Sequence, residues 1–226
     1  MHEDGFAIEE KVFSLGEVQA IQEAIEQAGF RTAERGAGGI RNLLDIPEVG
    51  QLAKSPMIRN LVVPILGQSA FAVRGTLFDK TPKANWKVPW HQDLSIAVQE
   101  KIDLEGFGPW SLKAGVVHVQ PPAAILEEML AVRIHIDDCR DENGPLRAIP
   151  GSHRLGRLTA DQIQTISSQA PVASCPVGAG GVLLMRPLLL HASSASRSPA
   201  HRRVIHIDFA CTGLPGGLKW LRRDAY

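Results

Sequence analysis

The chain changes character about a third of the way along. Between Ser14 and Gly29 the apolar residues Leu15, Val18, Ile21 and Ile25 recur at helical spacing, so they share one face of a helix. Ser14 followed by Glu17 is a capping-box pair that marks the start, and Gly29 marks the end. After a glycine-rich turn at Gly36, Gly38 and Gly39, a second helical region is predicted from about Pro47 to Leu66. Ser55-Pro56 restarts it and Gly67 closes it. From Phe71 onward the pattern shortens to strands. They are expected at Phe71–Phe78, Val88–Val98, Gly115–Val119, Ala131–Asp137, Leu146–Ile149, Val182–Met185, Leu188–Ala192 and Arg202–Ala210. Short helices near Ala123–Leu130 and Thr159–Ser168 interrupt them. Many short strands without regular strand–helix alternation argue for a sandwich or barrel rather than a doubly wound sheet. The expectation is a mainly β jelly roll with N-terminal helices. One domain covers 1–226, with 1–67 as a helical buttress and 71–211 as the core.

Composition narrows the function classes. Lys+Arg and Asp+Glu both number 24, so no net field draws the protein to nucleic acid or to an acidic partner. No apolar stretch approaches the roughly 20 residues that span a bilayer, and Met1-His2-Glu3-Asp4-Gly5 starts no signal peptide. Cys139, Cys175 and Cys211 are few, odd in number and far apart, which is neither a disulfide framework nor a zinc site. These features predict a cytoplasmic protein; a monomer or homodimer is the default, and a small molecule the expected substrate.

The chemistry lies in histidines and carboxylates. Non-haem Fe(II) oxygenases hold the metal with two imidazoles and one carboxylate and keep positions open for cosubstrate and O2. In a strand, residues i and i+2 point the same way, so His-X-Asp delivers two such ligands from one element. With 8 His and 11 Asp in the chain, chance gives roughly 0.4 such pairs, yet 91/93, 135/137 and 206/208 all match. His91-Gln92-Asp93 follows Pro89-Trp90, and His191 sits about 100 residues later at the end of an apolar run. His135/Asp137 and His206/Asp208 alternate with apolar residues, as the polar inner face of a barrel would; the 135/137 pair is the main competitor.

Arg202, eleven residues after His191, opens the last strong strand. An arginine there suits a dicarboxylate cosubstrate, because it binds carboxylate through two parallel bonds and stays charged. Ser193 is a candidate hydroxyl donor to the same group, whereas Arg203, on the opposite strand face, reads as a surface residue.

Three segments together carry a family likeness: Trp90-His91-Gln92-Asp93-Leu94, Asn143-Gly144-Pro145-Leu146 leading to Pro150-Gly151-Ser152-His153, and His191-Ala192-Ser193 with Arg202. Over most of its length the chain resembles the phytanoyl-CoA dioxygenase family of Fe(II)/2-oxoglutarate oxygenases. The resemblance implies a double-stranded β-helix, cupin-like, with iron on His91, Asp93 and His191, and 2-oxoglutarate held by Arg202 and Ser193. It also points to Arg133, at a place the family commonly fills with an aromatic, and to Thr76 and Arg41 as cosubstrate contacts. Related halogenases lack the carboxylate, so Asp93 favours hydroxylation. His153 is placed outside the metal shell, in a turn.

Trp110, His118, Gln120 and His135 are candidate substrate contacts, the first three in or beside a segment that could form a lid. Two rival classes share some of these features. A metal-binding jelly roll without 2-oxoglutarate turnover would keep the same ligands. A serine hydrolase would need a G-x-S-x-G elbow, which is missing, and Gly178-Ala179-Gly180-Gly181 is no dinucleotide fingerprint because Leu183 stands where the third glycine belongs.

Overall fold

The computed structural model describes residues 1–28, 39–81, 85–197 and 201–225. Gly29, Gly36 and Gly38, expected at the end of the first helix and in the turn after it, lie outside them. Helix α1 (Leu15–Gln27) begins on the expected capping box. The Ser14 hydroxyl accepts from the Glu17 N–H, and the Glu17 carboxylate accepts from the Ser14 N–H. Helices α2 (Pro47–Ala53) and α3 (Pro56–Leu66) follow, each with proline in its first turn, and Ser55 caps α3. Val18, Ile21 and Ile25 of α1 share one apolar cluster with Val49 and Leu52 of α2 and with Ile58 and Val62 of α3.

That cluster rests on a large antiparallel sheet. Its strands are β1 (Phe6–Glu9), β2 (Ile40–Arg41), β3 (Phe71–Lys80), β8 (Met129–His135), β11 (Val182–Met185), β13 (Arg202–Ala210) and β14 (Asp224–Ala225). They run in the order β1-β11-β8-β13-β3-β14, with β2 also pairing to β3. A smaller sheet, β10-β9-β12-β4, is built from β4 (Val88–His91), β9 (Leu146–Ala148), β10 (Ala173–Cys175) and β12 (His191–Ser193). A third joins β5 (Ile96–Val98), β6 (Trp110–Lys113) and β7 (Val116–Val119) in the order β5-β7-β6. Short helices α4 (Ala123–Glu127) and α5 (Ala160–Gln169) occupy the positions expected for them. The fold is the expected jelly roll.

Strand alternation decides what each face of the large sheet does. Leu130, Val132 and Ile134 of β8, with Ile205, Ile207 and Phe209 of β13, pack in the cluster that holds the helices. The alternate residues face the interior, where Ala131, Leu183 and Met185 meet Leu146, Ala148 and Cys175 of the smaller sheet. Toward the other end of β8, β13 and β3, the same inner face turns polar. Register sets Arg202 opposite Lys80, His206 between Arg133 and Thr76, and Asp208 opposite Arg74.

Several elements differ from expectation. β1 and β2 fall in the region read as helical, because strands of four and two residues are too short to show periodicity. The expected strand Val88–Val98 breaks into β4 and β5, since the Asp93 N–H leaves the ladder to bond Pro187 O at 2.9 Å. Leu188–Leu190 is not strand. Leu189 N–H turns back to Arg186 O at 3.0 Å, and pairing starts only at His191. Trp110–Lys113, part of the supposed lid, is strand β6, joined to β7 by a tight turn at Ala114-Gly115 in which both residues have positive φ. Among the described residues no helix is long and apolar enough to cross a membrane.

Candidate metal centre and its two cavities

His91 and His191 are register partners across β4 and β12, with ring centroids 4.2 Å apart. Asp93, two residues beyond His91, completes the group. One carboxylate oxygen lies 3.7 Å from His91 Nε2 and the other 3.7 Å from His191 Nε2. One ligand atom from each of the three falls within 4.8 Å of the others, and among the described residues no other His, Cys, Asp or Glu trio converges in this way.

Backbone carbonyls orient both rings. His191 Nδ1 donates to Leu189 O at 2.8 Å, and His91 Nδ1 lies 2.9 Å from Pro89 O and 3.1 Å from His191 O. A carbonyl can only accept, so Nδ1 carries the proton and the Nε2 lone pair is left toward Asp93. Burial holds the His191 imidazole down to about 4, which keeps it neutral, the form that ligates metal. Burial pushes the Asp93 carboxyl up, but His191, His206 and His91 outweigh it, and the group sits below the ordinary carboxylate range.

Gln92, between the two ligands of β4, points the other way and is buried. Its amide nitrogen donates to Gly156 O and Leu188 O, both at 2.8 Å, and its oxygen accepts from Leu158 N–H at 2.9 Å. It therefore ties the His91–Asp93 segment to the backbone just before His191.

A cavity opens from the centre between the sheets, lined by Lys80, Arg133, His135, Cys139, Ser193, Arg202 and the three metal-binding candidates. Arg202 is 4% exposed. Its Nη1 donates to Gly144 O, while its Nε has no partner. Arg133 donates to His206 Nδ1 at 2.9 Å and lies over the Phe78 ring at 5.6 Å, and its Nε is also without a partner. Lys80, 1% exposed, donates to the Ser193 hydroxyl at 3.1 Å and Ser194 O at 2.6 Å. Burial and the facing Arg202 push its ammonium down to about 7, and burial and Arg202 bring Arg133 down to about 10. Among the described residues no carboxylate lines the cavity apart from Asp93. Two buried cations and the half-buried Arg133, with unused donors, form a receptacle for an anion.

A second cleft lies against the same centre and shares Phe78, His91, Asp93 and His206 with the first. Arg41, Arg74, Thr76, Ser95, Lys113 and Gln120 complete it. His206 Nε2 donates to Asp208 Oδ1 at 3.0 Å, and Arg74 Nε donates to Asp208 Oδ2 at 2.6 Å. The third His-X-Asp pair thus belongs to a buried network in the wall between the cavities, not to a metal.

The competing pair is dismantled. His135 faces the first cavity with neither ring nitrogen hydrogen-bonded, and burial with Arg133 pushes it down to about 3. Asp137 lies past the end of β8 and turns away to Arg203, accepting from its backbone N–H and from its guanidinium at 2.8 and 2.7 Å. Arg203, expected at the surface, is half-buried in that pair.

Arg202, Ser193 and Arg133 thus share one cavity with His135, while Thr76 and Arg41 do not join them. Both of the latter line the second cleft, because Phe78 and then Lys80 occupy the inward positions of β3 on the other side. Gln120 reaches that cleft and accepts from Arg157. His118 is buried, donating to Val116 O at 3.0 Å, with its Nε2 unpartnered. Trp110 lines neither cavity. It packs, half-buried, against the separate apolar cluster under β5–β7. His153 lies in a short helical turn away from the centre, as expected. Sequence reading missed Lys80, whose role shows only in its register with Arg202.

The chain is similar to several known proteins. Ectoine dioxygenase of Bordetella bronchiseptica is 22% identical over 231 residues, covering 87% of this chain and 68% of that protein. Among solved structures, SnoK, a non-haem α-ketoglutarate-dependent carbocyclase from nogalamycin biosynthesis, superposes with a TM-score of 0.70. The two are 20% identical, and the match covers 92% of this chain and 80% of SnoK. HygX of Streptomyces hygroscopicus, solved with nickel and 2-oxoglutarate bound, gives a TM-score of 0.68 at 18% identity, covering 99% and 88%. The model of the phytanoyl-CoA dioxygenase family matches residues 1–204, and the chain belongs to this family of Fe(II)/2-oxoglutarate oxygenases.

Proposed function

We propose that this Fe(II)- and 2-oxoglutarate-dependent dioxygenase holds its metal on His91, Asp93 and His191, binds 2-oxoglutarate in the Lys80–Arg133–Arg202 cavity, and hydroxylates a small molecule presented from the second cleft. The observation that carries the assignment is the convergence of three ligand atoms within 4.8 Å, with both imidazoles anchored through Nδ1. The donor set fits Fe(II): two neutral imidazoles and one carboxylate on one side leave the other positions open. When bound, the metal supplies chelation of the 2-oxo acid and activation of O2, so that 2-oxoglutarate, O2 and substrate yield succinate, CO2 and hydroxylated product.

The chain's own residues do the rest. Arg202 and Lys80 receive the distal carboxylate, and the Ser193 hydroxyl, which already accepts from Lys80, turns its own proton toward the same group. Arg133 adds a third cation where relatives commonly place an aromatic, and it stays fixed by His206 and Phe78. Leu146, Val204 and Phe78 wall the cavity and exclude water from the reacting centre. Gln92 fixes the two ligand-bearing segments relative to each other.

Fe(II)-dependent formation of succinate from 2-oxoglutarate tests this. The wild-type protein should produce succinate only with Fe(II) and O2, and Asp93→Ala should produce none. Iron binding without any 2-oxoglutarate turnover would leave a metal-binding jelly roll instead.

A further inference from the structure

Two separate sets of cations line the two cavities at the metal centre, and only one is needed for the cosubstrate. Lys80, Arg133 and Arg202 lie in the first cavity. Arg41 and Lys113 lie in the second cleft, which shares His91 and Asp93 with the first but none of its cations. Both side chains are half-buried. Among the described residues neither has a hydrogen-bonding or ion-pairing partner. The other charged groups facing them are already engaged. Arg74 is neutralised by Asp208 at 2.6 Å, and Asp93 belongs to the metal trio. Arg41 and Lys113 each sit below their ordinary range, first through burial and then through repulsion among Arg41, Arg74 and Lys113. Partly desolvated, mutually repelling cations without a counter-charge destabilise the empty cleft, and an anion entering it relieves that cost.

We infer, on the basis of the site assignment above, that the substrate is a small anion whose carboxylate or phosphate is bound by Arg41 and Lys113, which hold its carbon skeleton against the His91–Asp93 edge of the metal centre. Thr76, Ser95 and Gln120, in the same cleft, supply uncharged hydrogen-bonding groups for the remainder of the molecule. Arg41, expected beside the cosubstrate from the sequence, is thereby a specificity residue for the substrate.

The test uses protein loaded with Fe(II) and saturating 2-oxoglutarate in the absence of oxygen, titrated by isothermal calorimetry. The probes are short-chain carboxylic acids, each paired with its own primary amide, together with inorganic phosphate. At least one anion should bind, and an acid that binds should exceed its amide at least about tenfold. Arg41→Ala and Lys113→Gln should each weaken that binding about tenfold, while Arg41→Lys retains most of it and shows that the fold is intact. The affinity for 2-oxoglutarate itself should stay within about twofold in all three variants. A panel in which no anion binds, acids and amides that bind alike, or variants that leave anion binding unchanged would overturn the inference. So would Arg41→Ala weakening 2-oxoglutarate instead. The underlying assignment fails separately, if Arg202→Ala and Lys80→Ala leave 2-oxoglutarate binding unaltered.

Discussion

Lys80 and Arg202 stand directly opposite each other on β3 and β13, two like charges in one register pair inside the protein. Cross-strand like charges destabilise a sheet unless something of opposite sign lies between or beside them. Here the neighbouring groups are Ser193, Ser194 O and Gly144 O, all neutral. On the proposed assignment a dianionic cosubstrate supplies that opposite charge, and the pair makes the clearest demands on experiment.

Removing either charge should be felt in 2-oxoglutarate binding first. Arg202→Ala should raise the concentration of 2-oxoglutarate needed for half-maximal succinate formation by about 10- to 100-fold, and Lys80→Met by about tenfold. An unchanged requirement in both variants would place the anchor elsewhere.

The same pair gives a pH dependence. The Lys80 ammonium is held down to about 7 by burial and by Arg202. Below that pH it is charged and attracts the carboxylate; above it, binding must take up a proton. Affinity for 2-oxoglutarate should therefore fall as pH rises above about 7, and in Lys80→Met this slope should disappear. The sign for stability is the reverse. A lysine with a lowered folded-state value is more readily charged when unfolded, so its charging opposes folding. Without cosubstrate, the protein should gain stability as pH rises from about 7 toward the ordinary lysine range, and denaturant titrations of wild type and Lys80→Met would show the difference.

Asp208 is buried between Arg74 and His206. Burial alone would raise its carboxyl, but Arg74 and His206 hold it well below the ordinary range. Asp208→Ala leaves the Arg74 guanidinium uncompensated and should cost roughly 3–5 kcal/mol in urea unfolding. An Arg74→Met, Asp208→Leu double variant should recover most of that loss. Because the folded-state value is depressed, the contribution of Asp208 is complete above the ordinary carboxylate range and is lost as pH falls below it.

Gln92 should behave as a positioning residue. Gln92→Leu removes three hydrogen bonds from a buried segment and should cost about 2–4 kcal/mol. It should also weaken Fe(II) binding while leaving the ligand set intact. Destabilisation with normal metal affinity would limit Gln92 to packing.

Helix positions, most strands and the trio His91, Asp93 and His191 were readable from the chain, because each rests on local periodicity or on spacing within one strand. The trio needed one long-range fact, the pairing of β4 with β12, and family motifs stood in for it. What stayed hidden depends on register. Lys80 is an ordinary lysine at a strand end until β13 sets it against Arg202. Asp137 matches its motif as well as Asp93 does, but β8 ends at His135 and hands Asp137 to Arg203. Trp110 is expected in a lid with the rest of Gly106–Trp110, whereas it opens a short hairpin and packs, half-buried, against a separate cluster. Arg41 and Thr76 came from the family resemblance; that they line the second cleft, with Phe78 lining both cavities, shows only in the folded chain.

Equilibrium Fe(II) binding without oxygen, compared across His91→Ala, Asp93→Ala, His191→Ala and His135→Ala, tests the central assignment most directly. The account predicts one equivalent bound by wild type and by His135→Ala, with affinity at least about 100-fold weaker in the other three. Full-affinity binding in Asp93→Ala or His191→Ala, or its loss in His135→Ala alone, would contradict it.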